Sequence, residues 1–210
     1  MIEIDGLEGM WIHKSLYPNS GWKQVQKVAF NTTSHKSFEK QVKGQTKYDV
    51  YYFKFGGEAA ANGYEFSVKS FNEYKSLKYE TDNGKQILNQ SGYGYLLKDI
   101  SDKSIEKLTN NDKGIIFIGI NEKHLNNANA TELSNAAAYV LHEEGSHAEN
   151  DLNGEQTTTA EDHTEYYNNE EENWSPSNDA VRTHPNYNNS RAKRDITETD
   201  ENAKKEYETQ

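Results

Sequence analysis

Apolar positions along the chain fall into three rhythms, and each predicts a different element. From Trp22 to about Lys78 they form short runs: Val25, Val28 and Phe30, then Tyr48 to Phe55, then Tyr64 to Val68. β-Branched and aromatic side chains in short runs suit a pleated strand. Gly44, Gly56-Gly57 and Asn62-Gly63 punctuate them as turns do. These runs predict a small antiparallel sheet.

The second rhythm is the unbroken run Gly114-Ile115-Ile116-Phe117-Ile118-Gly119-Ile120, the most apolar strand candidate of the chain. Two readings are open for it. It is either an edge strand that pairs with an extended peptide or an interior strand that fills the core.

The third rhythm is helical. Asn129 can cap a helix with Glu132 three residues on. Leu133, Ala136, Ala137, Val140, Leu141 and Glu144 then follow the i, i+3, i+4, i+7, i+8, i+11 spacing, an apolar stripe ended by a charge. Between the first and second rhythms, residues 84–112 mix a helical stretch (Ile100, Ile105, Leu108) with the flexible Ser91-Gly92-Tyr93-Gly94. The first 22 residues, with Gly6, Gly9, Pro18 and Gly21, read as a junction or docking segment. Beyond Asn150 the chain turns polar. The expected class is α+β: a small antiparallel sheet packed with one long helix over residues 23–170, and a polar, disordered tail over 171–210.

Composition sharpens this. Of 210 residues only 33% are apolar, too few to build a core from the whole chain. No run of about 18 apolar residues is present, so no membrane span is expected, and no basic-then-apolar leader precedes the first strand. The absence of cysteine removes disulfides and thiolate metal sites, leaving His, Asp and Glu as ligands; the redox compartment stays open. The formal charge is −11, and from His124 to Val181 there are 13 acidic residues and no Lys or Arg. Such a segment repels a phosphate backbone, which argues against a nucleic-acid partner and a nuclease. Together with His124, His142, His147 and His163 it suits a divalent cation. A solvated acidic surface is the plainer alternative.

The chemistry concentrates in Leu141-His142-Glu143-Glu144-Gly145-Ser146-His147, which reads H-E-x-x-x-H. In H-E-x-x-H, histidines four apart share one helical face and the glutamate polarises the metal's water. Here the spacing is five, which turns the two side chains about 140° apart on a regular helix. A π-bulge, or a break at Gly145, would restore a shared direction. On the helical wheel His142 lies opposite Leu133, toward a cleft or solvent, and His147 points back to the core. Two unrelated histidines near a helix end are the competing reading.

A catalytic zinc takes three protein ligands and keeps one open position. Downstream, His163 is the first choice for the third ligand, followed by Asp162 and Glu161. A carboxylate left over could orient a histidine, and Tyr166 or Tyr167 could stabilise an oxyanion. His124 could border the cleft, whereas His13, His35 and His184 read as surface residues. A di-iron carboxylate centre would need two Glu-x-x-His pairs, and only Glu144-x-x-His147 is available.

The motif, with Asp162-His163 downstream, resembles the zincin-like metallopeptidase domains at the C-termini of bacterial polymorphic toxins, over about residues 114–167. The opening Met1-Ile2-Glu3-Ile4-Asp5-Gly6 is similar in part to the junction that ends the core of Rhs/YD-repeat proteins, where a variable toxin module begins. The resemblance implies Zn²⁺ held by His142, His147 and His163, with Glu143 as general base for peptide-bond hydrolysis. It also implies a protein or peptide substrate, an immunity protein in the producer, and secretion as part of a larger protein. A non-catalytic, metal-stabilised binding or adhesive module is the alternative from a different class.

Overall fold

A computed structural model of the chain describes residues 1–56, 62–82, 102–109, 113–126, 129–154 and 190–208. The described strands are β1 (Ile2–Glu3), β2 (Met10–Ile12), β3 (Tyr48–Phe55), β4 (Gly63–Val68) and β5 (Gly114–Asn121). The helices are α1 (Ser20–Val28), α2 (Thr33–Lys43), α3 (Phe71–Asp82), α4 (Asp102–Thr109), α5 (Ala130–Asn153) and α6 (Ser190–Glu208). The architecture is α+β.

The sheet is mixed, where an antiparallel one is expected from the pattern alone. Its order is β1-β2-β3-β5-β4. β3 runs parallel to β5 from the Tyr48–Gly114 pair to the Phe55–Asn121 pair, and β2 runs parallel to β3. β4 is antiparallel to β5 from Gly63–Ile120 to Val68–Ile115. So β3 and β4, near neighbours in sequence, do not pair with each other; β5 comes between them. Every residue of β5 is buried, as a strand covered on both faces must be. Of the two readings open for this run, the interior one holds, and the last strand of the described sheet is β4.

Alternation along β3 divides the core into two layers. Val50 and Tyr52 join Ile116, Ile118 and Ile120 beneath α1, α2 and α5. Tyr51, Phe53 and Phe55 join Phe117, Phe66, Tyr74 and Ile105 on the other face. The N-terminal segment, expected as a junction, enters the first layer through the buried side chains of Ile4, Met10, Ile12 and Leu16.

Val25 and Val28 lie in a helix, and the strand expectation for them is corrected. Asn19 caps α1 by accepting from the Trp22 amide at 2.9 Å. Gly21, Trp22, Val25 and Val28 are the buried positions, the three-to-four spacing of a helix face. α5 begins as expected: the Asn129 side chain accepts from the amides of Thr131 and Glu132 at 3.0 and 3.3 Å. It ends at Gly154, whose φ of 74° is the left-handed conformation that glycine adopts without a Cβ clash. Within the tail expected to be disordered, Ser190–Glu208 forms α6, packed against α5 and α1.

α6 docks mainly through polar groups. Glu206 pairs with Lys27, and the Asn202 side-chain amide donates to the Val28 carbonyl at 3.1 Å. Asn135 donates to Asp200 at 2.8 Å. Thr199 and Ala203 are its buried small residues. Among the described residues no helix is long and apolar enough to cross a membrane.

Candidate functional site

The motif lies in the second half of α5, and the helix is unbroken through it. Residues 130 to 153 are α-helical without a π-turn or a break at Gly145. At about 100° per residue, the motif's side chains therefore leave the axis in three directions.

His142 points away from the sheet, as the wheel predicts, but into a covered position. Its side chain is 3% exposed, and its Nδ1 lies 3.4 Å from Oδ2 of Asp195 on α6. The other carboxylate oxygen of Asp195 accepts from the Ser34 hydroxyl at 2.7 Å. Arg194 donates to that same hydroxyl at 3.0 Å. A narrow cavity of about 30 Å³ opens here, bordered by His142, Glu149, Asp195, His35 and Tyr52. That is room for about two waters. Glu149 reaches it because seven residues return almost to the same helical face.

Of the histidines expected at the surface, His13 is buried and His35 is partly buried, with its side chain 9% exposed. His35 stacks on Phe30 with ring centroids 3.8 Å apart. Its Nδ1 lies 2.8 Å from the Glu39 carboxylate and its Nε2 lies 3.2 Å from the Tyr52 hydroxyl. A carboxylate can only accept, so Nδ1 donates to it, and a neutral ring then accepts from Tyr52 at Nε2. Burial lowers the pKa of His35, opposed by Glu39 and, more weakly, Asp195. The same burial raises the Tyr52 phenol. His13 takes the Ser15 hydroxyl at 2.7 Å. His124 is buried against the Asn62 side chain at 3.1 Å. His184 lies outside the described residues.

Glu144 faces the sheet. It is 7% exposed and lies over Gly63 of β4, where a Cβ would come within 2.5 Å of its Oε1. Desolvation, then the charges of Glu143 and of Glu65 on β4, push its carboxyl well above the usual range. Glu143 and His147, four residues apart and so only about 40° apart, share a half-buried face of the helix.

The structure therefore sets Glu144 over Gly63 of β4, within electrostatic reach of Glu143 and Glu65, and sets His147 one turn from Glu143. It does not bring His142 and His147 to one point. Among the described residues, no three His, Asp or Glu side chains are grouped to hold a metal ion. His163, Asp162, Glu161, Tyr166 and Tyr167 lie outside the described residues. As a pair on this helix, His142 and His147 do not fit one zinc ion, whereas Glu143 and His147 have the spacing for it.

Three contributors were not found from the sequence: Asp195, Glu65 and the His35 cavity. The spacing of Asp195, Thr199 and Ala203 at i, i+4 and i+8 was the available signal for α6, hidden in a strongly polar segment. No family model, curated protein or solved structure matches the chain.

Proposed function

We propose that this chain is a metal-dependent peptidase module, a zincin-like toxin or effector domain that hydrolyses peptide bonds. What supports the reading is the helix itself: α5 follows the central strand β5 and carries Glu143 on a half-buried face with His147 one turn on, while Glu144 lies over Gly63 of β4. The Glu143 carboxylate on that half-buried face lowers the cost of placing a divalent cation there. Zinc would supply Lewis-acid polarisation of a peptide carbonyl and a more acidic bound water. On the protein's side, Glu144 keeps its proton to higher pH than an ordinary carboxyl and is backed by β4, which fixes its position. By the resemblance, His163 would add a ligand from outside the described residues, and an immunity protein would neutralise the domain before delivery in a larger secreted protein.

The test is a peptide-library digest, read by mass spectrometry, with zinc-loaded protein and with Glu143→Gln. Cleavage that zinc restores after chelation, and that Glu143→Gln abolishes in a folded protein, supports the proposal. Metal uptake that raises stability with no peptide cut would instead favour the non-catalytic, metal-stabilised binding module. The polar docking of α6 over α5 and α2 is the observation on that side.

A further inference from the structure

We propose that the cavity between the N-terminal strands and the first two helices is a docking groove for an extended peptide in which Lys or Arg alternates with apolar residues. The groove lies at the β1 end of the sheet, whereas β4, with Glu144 above Gly63, lies at the other. Its peptide is therefore recognised apart from any chemistry on α5.

The cavity has the size of a ligand site. It measures about 430 Å³, inside the range of about 300–1,000 Å³ in which ligand pockets fall, and Ile2, Leu7 and Tyr17 give it apolar walls. Tyr17 is 59% exposed, the one large apolar side chain so placed among the described residues. An aromatic of this kind is a common anchor for a partner. The cavity is also edged by an open strand. β1 ends the described sheet on this side and pairs with β2 from Ile2–Ile12 to Glu3–Trp11. The Ile4 amide donates to the Met10 carbonyl at 2.9 Å, so Ile4–Met10 is a hydrogen-bonded position of this antiparallel ladder. Such positions alternate with unbonded ones, which turns the N–H and C=O of Glu3 outward. An extended peptide can pair with both.

Charge and alternation select the peptide. Ile2-Glu3-Ile4-Asp5 alternates apolar and acidic residues, and side chains of neighbouring strands meet on the same face of a sheet. A strand added along β1 therefore sets apolar residues beside Ile2 and basic ones beside Glu3. Among the residues that line the cavity, Glu3, Asp5 and Glu39 bring three carboxylates against the single ammonium of Lys36. An acidic peptide would instead place like charges opposite one another. Lys23 Nζ stands 6.0 Å from the Tyr17 ring centroid, the outer limit of a cation–π contact, so an incoming cation can take that place at little cost.

The probe is a fluorescein-labelled heptapeptide of alternating valine and lysine, blocked at both ends. It is titrated into the full chain by fluorescence polarisation, and ¹H–¹⁵N spectra locate the contact. The expected result is a Kd below about 1 mM with shift changes at Glu3, Tyr17 and Lys36. Tyr17→Ala should weaken binding by about fivefold or more, the least effect of an anchoring residue. Glu3→Lys should weaken it and Lys36→Glu should strengthen it. Both side chains are exposed, and opposite signs from two such variants separate recognition from loss of fold, which circular dichroism monitors. A valine–glutamate heptapeptide should bind about tenfold more weakly or worse, and a valine–lysine peptide N-methylated on alternate amides should not bind, because it cannot pair with β1. No binding of the valine–lysine peptide at about 1 mM, equal binding of either control peptide, unchanged affinity in folded Glu3→Lys or Tyr17→Ala, or shift changes confined to α5 overturns the proposal. Equal affinity for butylammonium ion overturns it too, since the groove then takes a small organic cation and no strand.

Discussion

Gly145→Ala decides whether α5 is straight where the motif requires the answer. Gly145 sits inside the helix, eight residues before its last residue, and its φ is not among the positive values of the chain. A Cβ built there meets nothing within 4 Å. No steric cost opposes alanine, and the gain is the difference in helix propensity, about 0.5–1 kcal/mol. For a chain of this size that raises Tm by about 1–4 °C. Urea unfolding followed by far-UV circular dichroism gives the free-energy change, and a thermal scan gives Tm. The same protein, loaded with Zn²⁺, reports whether metal uptake survives. A straight helix gains stability and keeps its metal. Destabilisation by 1 kcal/mol or more, or loss of metal in a stabilised protein, would refute the reasoning. Either result would mean that Gly145 adopts a conformation alanine resists, as a helix broken to bring His142 and His147 together requires.

Three further predictions test the surrounding structure. Gly63→Ala should cost about 1–3 kcal/mol by overpacking, because its Cβ would lie 2.5 Å from Glu144 Oε1 and 2.7 Å from the stiff Val140 Cγ1; an unchanged denaturation midpoint would contradict the close approach of β4 to α5. Asn129→Ala should cost about 1 kcal/mol in the same assay by removing the N-cap of α5. Since burial lowers the pKa of His35, the unfolded chain binds this proton more readily than the folded one. Its stabilising contribution is therefore complete above the unfolded value near about 6.5 and is lost as pH falls through the folded value. Unfolding free energies measured between about pH 5 and 8 should show a shallower acid slope in His35→Gln; an identical slope would refute the assignment.

Local features of the chain were sufficient for the elements that rest on short-range physics. The capped, amphipathic helix from Asn129, the apolar strand at 114–120 and the strands at 48–55 and 64–68 follow from side-chain period and end signals, which involve neighbours within one or two turns. The α+β class follows with them. The Val25–Phe30 run was misjudged because branched and aromatic residues favour strands, while Asn19 and the spacing of Trp22, Val25 and Val28 favour a helix. Packing against Tyr52 decided between them.

Of the candidate site, the sequence by itself determined which residues carry donors, and that residues four apart on α5 share a face. It also determined that His142 points away from the apolar stripe. Only the tertiary structure decided what lies over that face: Asp195, Ser34 and His35 come from positions far away in the chain. Tertiary contacts also placed β4 rather than β5 at the end of the sheet, which brought Gly63 under Glu144 and Glu65 within its electrostatic reach. The physical reason is common to both. Periodicity records which face of an element is apolar, but strand order and the cover over a polar face depend on which distant segments compete to bury the same surface.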